Sequence, residues 1–208
     1  MNKAEKSWDE RAINFDENAK KFEETSIKMV ELTEKHLNSS DSVLDFGCAT
    51  GTITNVIADK VQKIIGIDIS SKMIDIAKRN VGSGNTDSIT FEHATIFDES
   101  HKKETFNVVL AFNMLHLLED ALKVVQQINM LLKSGGLFIS ATRSMERNMT
   151  SSNVLFDPLS KTEIVPNLEL SKFTALENLI TNGGFQIIET EDLNGSPECY
   201  FIVAKKTK

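Results

Sequence analysis

Apolar residues along this chain fall into two alternating rhythms. Short, nearly unbroken apolar runs at 42–46, 63–68, 88–93, 106–112 and 136–141 have the length and β-branched content of strands buried on both faces. Between them, apolar positions recur every three or four residues: Ile53, Val56 and Ile57; Met73, Ile76 and Ala77; Ala121, Val125, Ile128 and Leu132. That spacing puts one apolar face on each helix. It predicts helices beginning near Thr52, Ser70 and Glu119, with Ser70 as an N-cap and the third helix stopping at Ser134-Gly135-Gly136. Strand and helix in alternation predict an α/β fold built on a doubly wound parallel sheet.

Both ends depart from this alternation. Ahead of the first strand, Trp8, Ala12, Phe15, Ala19 and Phe22 form a helical stripe, and a second helical stretch runs to about Leu37. Near the other end, Thr174 and Glu177 have capping-box spacing for a helix that ends at Gly183-Gly184. Two apolar strands at 185–190 and 198–204 follow, with Asn194-Gly195 between them. That pair reads as an antiparallel hairpin closing a seven-stranded sheet. Residues 142–170 have no sustained period and contain Pro158 and Pro166, so a long excursion is expected above the C-terminal edge of the sheet. Met145, Met149, Leu155 and Phe156 either line a pocket there or pack on one another. The chain thus divides into an N-terminal helical segment (1–40), a core (41–141), an insertion (142–170) and a final helix with hairpin (171–208), all in one domain.

The chemistry concentrates after the first strand. Val43-Leu44-Asp45-Phe46-Gly47-Cys48-Ala49-Thr50-Gly51 is a strand running into a glycine turn and then a helix, and the next strand ends in Asp68. Glycine allows a sharp turn and close backbone approach where a Cβ would clash. An acid at the end of the second strand is placed to accept hydrogen bonds from ribose hydroxyls. The layout suits an adenosine-containing cofactor. A dinucleotide fingerprint would need G-x-G-x-x-G, and Thr52 stands where its last glycine falls.

The stretch Asp45-Phe46-Gly47-Cys48-Ala49-Thr50-Gly51 resembles motif I of the class I S-adenosylmethionine-dependent methyltransferases, D/E-x-G-x-G-x-G, with Ala49 replacing the central glycine. Three further stretches resemble the same family in order and spacing: Gly66-Ile67-Asp68-Ile69-Ser70, Phe106 to Asn113, and Leu131 to Ile139. The resemblance covers about Trp8 to Lys205 and implies a Rossmann-like sheet, mostly parallel, with N-terminal helices serving as a lid. It also implies S-adenosylmethionine as cofactor, with S-adenosylhomocysteine as product.

By this resemblance Gly47, Ala49 and Gly51, with Cys48 in the same loop, pass the backbone against the methionine and ribose part. Asp45 holds the loop or the amino group, Asp68 the ribose hydroxyls, and Ile69 packs on the adenine face. Thr95 stands where many relatives carry an adenine-binding acid; its hydroxyl and the Ile96 amide substitute, or Asp98 does in a shifted register. Phe112 and Asn113 approach the methyl end. His116, just past the fourth strand, is the one candidate for a general base, an ordering role being its alternative. His36, His93 and His101 have no partner pattern. Arg11, Lys21 and Lys28 are within reach of the cofactor carboxylate or are solvated charges.

Composition narrows the rest. The chain has 208 residues, 40% hydrophobic, enough for one sizeable core. A net charge of −7 argues against a broad grip on nucleic acid and favours a small-molecule acceptor, whose nucleophile the resemblance implies to be O, N, S or C. Two cysteines, Cys48 and Cys199, make no disulfide framework, and no apolar run has membrane-spanning length or the form of a signal peptide. A cytoplasmic monomer or homodimer without a metal is expected. The rivals are a non-catalytic S-adenosylmethionine-binding regulator, a tRNA methyltransferase and a nicotinamide-dependent oxidoreductase.

Overall fold

Strand β1 (Ser42–Phe46) is buried along its whole length, which places it at the centre of the sheet. The computed structural model describes residues 3–82, 87–143, 167, 170, 172–193 and 199–207. Strand β1 pairs in parallel with β2 (Lys63–Asp68) on one side and with β4 (Phe106–Phe112) on the other. Strand β3 (Ile89–His93) continues beyond β2, and β5 (Leu132–Arg143) beyond β4, also in parallel. The order is β3-β2-β1-β4-β5-β7-β6: β7 (Cys199–Lys206) lies antiparallel between β5 and the edge strand β6 (Phe185–Leu193). The expected doubly wound sheet with an antiparallel finish is therefore present, and its Asn194-Gly195 turn lies outside the described residues. The winding reverses between β1 and β4, so the chain leaves their C-terminal ends in opposite directions and opens a crevice there.

Alternation along each strand divides the core in two. Leu44, Phe46, Val109 and Ala111 face α6 (Ala121–Leu131) and α7 (Phe173–Asn182). Val43, Val108, Leu110 and Phe112 face the layer of α3 (Glu23–Glu34), α4 (Thr52–Ile57) and α5 (Ser71–Arg79). Both faces of the sheet are covered, which explains why its strands read as continuous apolar runs. Ser70 caps α5 as expected, its hydroxyl accepting from the Met73 amide at 3.1 Å.

Three boundaries differ from the sequence expectation. Helix α7 begins at Phe173 with Lys172 at its N-cap and no side-chain cap. The Phe173 ring stacks on Tyr200, 3.9 Å between centroids, which draws residue 173 into the first turn, and Glu177 accepts from the Tyr200 hydroxyl instead of closing a capping box with Thr174. Strand β5 starts at Leu132, four residues early, because Gly135 takes φ +75° and β4 pairs across a register shift. The N-terminal stripe is segmented into α1 (Lys3–Arg11), α2 (Phe15–Ala19) and α3, with 3₁₀ turns at 12–14 and 20–22. Asn14 and Phe22 leave helical geometry at φ −114° and −120°, which lets the segment bend.

That bend carries the segment across the C-terminal edge of the sheet. Glu5 lies 3.5 Å from His93 at the end of β3. Asp9 accepts from the Ser70 hydroxyl at 2.6 Å and the Lys72 amide at 3.2 Å, at the start of α5. Asp16 accepts from the Thr50 hydroxyl after β1, and the Phe22 ring lies under Arg143 at the end of β5, 4.5 Å away. Desolvation works against the Asp9 charge, yet the Ser70 and Lys72 hydrogen bonds hold its carboxyl below the ordinary value.

Asp45, inside β1, is buried and accepts from the Thr54 hydroxyl of α4 at 2.5 Å. Burial raises its carboxyl to about 6, the Thr54 bond opposing and the Asp68 charge adding. Asp9→Ala removes the hydrogen bonds from Ser70, Ser71 and Lys72 at a helix start and is expected to destabilise by about 1–2 kcal/mol, with faster proteolysis ahead of residue 23. Unchanged urea midpoint and cleavage would show that the contact does not hold the segment. Because the folded Asp45 value exceeds the ordinary 3.8, its stabilising contribution is complete below that pH and lost as pH rises through 6. The unfolding free energy of Asp45→Asn relative to wild type should therefore rise by roughly 3 kcal/mol between acid and pH 8. A flat difference across that range contradicts the assignment.

Candidate functional site

The loop from Gly47 to Gly51 turns on three left-handed residues, Gly47 (φ +78°), Ala49 (φ +49°) and Gly51 (φ +77°). A Cβ at Gly47 would fall 2.3 Å from Met114 Sδ, and one at Gly51 2.4 Å from Phe91 Cζ, so both positions require glycine. Ala49 adopts the disfavoured region at a cost of roughly 1 kcal/mol. It is held there because its N–H donates to Asp68 Oδ2 at 3.1 Å. The Gly47 and Cys48 amides both donate to the Ile67 carbonyl, at 2.8 and 3.1 Å. The loop is thereby stitched to the end of β2.

Asp68 also accepts from the Ser70 amide at 2.8 Å. Burial raises its carboxyl above the ordinary value, with the Ser70 and Ala49 amides opposing and Asp9 adding. The Cys48 thiol is pushed well up, first by burial and then by Asp45 and Asp68, so it stays protonated and is no nucleophile. Ile69, half-buried, has its carbonyl 2.9 Å from His93 Nε2; His93 was not distinguished by sequence and fastens the end of β3 to this site. Acidic groups therefore gather under the glycine loop.

The other predicted residues divide. Thr95 is exposed and accepts from the Phe97 amide at 3.3 Å. Ile96 points into the core, and its carbonyl accepts from Gln127 at 3.2 Å. Asp98 is engaged by the amide and hydroxyl of Ser100, which hold its carboxyl below the ordinary value. Phe112 is buried in the core. Asn113 is exposed, at φ +55°, and its N–H donates to the Ala141 carbonyl at 2.7 Å. Lys28 pairs with Glu191 at 3.0 Å, and the Arg11 guanidinium lies 5.1 Å from the Trp8 ring. Met145, Met149, Leu155 and Phe156 lie outside the described residues.

His116 sits in the 3₁₀ turn at 115–117 and is buried. Burial, then the Arg143 charge, lowers its pKa to about 4, so the imidazole is neutral at pH 7. Its Nδ1 has no hydrogen-bond partner among the described residues. Arg143 was not singled out from sequence; its only signal was a cation at the end of an apolar run. Asp9 and Asp16 lie in the opening stretch 8–16, which resembles the start of many small-molecule methyltransferases, but neither was assigned a contact from sequence.

Comparison with known proteins agrees with this geometry. A family model described as a methyltransferase domain matches residues 37–193. Over 112 residues the chain is 30% identical to the demethylmenaquinone methyltransferase of Symbiobacterium thermophilum, covering 52% of this chain and 45% of the relative. It is 32% identical over 112 residues to the ribosomal protein L11 methyltransferase of Dictyoglomus turgidum, covering 53% and 35%. The chain thus spans less than half the length of these curated relatives. A solved complex between the Haloferax volcanii Trm112 methyltransferase activator and a methyltransferase superposes with TM-score 0.77 at 16% identity, over 97% of this chain and 98% of that one. With the family match extending over three quarters of the sequence, the chain belongs to the class I S-adenosylmethionine-dependent methyltransferases, the family whose cofactor is S-adenosylmethionine.

Proposed function

We propose that this protein transfers a methyl group from S-adenosylmethionine to a nucleophilic O, N, S or C atom of a small-molecule acceptor. The observation that carries the reading is the Asp68 carboxylate, clasping the left-handed Gly47–Gly51 loop at the switch point between β1 and β4. Each Asp68 oxygen uses one lone pair on a backbone amide, leaving capacity for ribose hydroxyls. Gly47, Ala49 and Gly51 bring backbone to the cofactor, and Asp45 with Cys48 lies beneath them. Ile69, Thr95 and Ile96 are on the adenine side, with Phe112 and Asn113 toward the methyl end. The bound cofactor supplies a methyl group already activated on a sulfonium. The chain's part is to orient the acceptor and exclude water.

The strap from Glu5 to Phe22 supports a lid role for the N-terminal helices, since its contacts touch the ends of β3, β2, β1 and β5. A cytoplasmic location is supported by two free, buried cysteines, and a small-molecule acceptor by the net charge of −7. His116, neutral and with a pKa near 4, is too weak a base to draw a proton from a hydroxyl or amine at pH 7. Its part is to order the turn that follows β4.

Calorimetric titration with S-adenosylmethionine, S-adenosylhomocysteine and NADH tests the reading: the first two bind in the micromolar range and NADH does not. NADH binding without the others would replace methyl transfer with hydride transfer. Asp68→Asn should weaken S-adenosylhomocysteine by about 2–3 kcal/mol through lost charge-assisted hydrogen bonds, and equal affinity would remove the ribose assignment. With an acceptor in hand, His116→Asn is expected to retain turnover within about tenfold at pH 7, whereas a loss of about two orders of magnitude would restore the base role.

A further inference from the structure

We propose that Arg143 binds an oxyanion group of the methyl acceptor, a carboxylate or a phosphate, and so selects for anionic small molecules. The inference rests on the methyltransferase reading above. Arg143 is the last residue of β5 and pairs with Cys199 of β7. It lies two residues beyond Ala141, which pairs with Phe112 of β4 and takes the Asn113 amide. The guanidinium is therefore at the C-terminal edge of the sheet, next to the turn that carries His116, on the opposite side of β1 from Asp68.

No carboxylate lies within ion-pair distance of Arg143 among the described residues; its contact is the face of Phe22, 4.5 Å from the guanidinium carbon. Burial disfavours its charged form, opposed by Cys199. The Cys199 thiol, pushed up by burial to about 12 with Arg143 pulling it down and Asp192 pushing it further up, is neutral at pH 7. His116 is neutral as well, and its Nδ1 has no partner among the described residues.

A half-buried cation whose described neighbours Cys199 and His116 are neutral is costly unless an anion arrives to pair with it. Stacking on Phe22 covers one face of the planar fork and fixes its plane, and that fork matches carboxylate or phosphate through two parallel hydrogen bonds. The molecule is thus polarised along its C-terminal edge, with carboxylates Asp45 and Asp68 on the cofactor side and Arg143 on the acceptor side. RNA phosphate shares the chemistry, but a net charge of −7 opposes a polyanion and leaves a small anionic acceptor.

The test is an NMR titration of the full chain, with and without saturating S-adenosylhomocysteine, using benzoate, phenyl phosphate and neutral benzamide as probes. Benzoate or phenyl phosphate is expected to shift the Arg143 Nε–H resonance, assigned by its loss in Arg143→Gln, while benzamide leaves it in place. The stronger of the two anions identifies the oxyanion as carboxylate or phosphate. Arg143→Gln should weaken that anion about tenfold or more, and Arg143→Lys, which keeps charge but not the fork, less than Gln. S-adenosylhomocysteine affinity should stay within about twofold in both variants, which also reports that they fold. The proposal is overturned if no anion shifts the wild-type resonance, if benzamide binds as well as benzoate, or if Arg143→Gln binds anions undiminished. It is also overturned by tight, steeply salt-dependent binding of total tRNA that Arg143→Gln abolishes. Failure of S-adenosylhomocysteine to bind wild type would refute the methyltransferase reading instead, with the cofactor-free titration still judging Arg143.

Discussion

The Asp68 carboxylate is the constraint on which the site depends. One oxygen accepts from the Ala49 amide and the other from the Ser70 amide, so a single side chain joins the loop after β1 to the entry of α5. Without it, nothing described in the loop would offset the left-handed strain at Ala49. The same residue lies next to Asp45, whose buried carboxyl holds α4 through Thr54. Each acid raises the cost of ionising the other. The fold accepts that cost at the switch point, where a cofactor with hydroxyls and positive charge would relieve it.

From this clasp the electrostatics extend in two directions. Toward β3, further carboxylates take part, with Asp9 and Glu5 of the N-terminal segment meeting Ser70 and His93. Toward β5 and β7 lies the Arg143 cation, over Phe22. The N-terminal segment touches both zones, because its breaks at Asn14 and Phe22 let a chain of short helices follow the sheet edge. Its grip is polar and local at the cofactor end and aromatic at the other.

Much of the fold was legible because burial on both faces leaves a plain mark. The runs at 42–46, 63–68 and 106–112 recur as β1, β2 and β4 with the same limits. Ser70 announced α5 because a side-chain cap is a local interaction between near neighbours. The Thr174 and Glu177 capping box failed for the opposite reason. Glu177 is taken by Tyr200 and Phe173 by the ring of that tyrosine, a partner 23 residues from Glu177, and a long-range contact outweighed the local motif.

The sequence by itself determined the alternating α/β order, the glycine turn after β1 and the acid that ends β2, since periodicity, backbone freedom and strand termini are properties of neighbouring residues. Only the tertiary structure decided that β7 inserts between β5 and β6. It alone made Asp68 a clasp for Ala49, turned His116 into a buried neutral imidazole, and set Arg143 over Phe22 with no carboxylate partner among the described residues. Those properties depend on which groups become neighbours after the chain has crossed the sheet. Desolvation and pairing, which fix charge and hydrogen bonding, act between residues that the linear order leaves far apart.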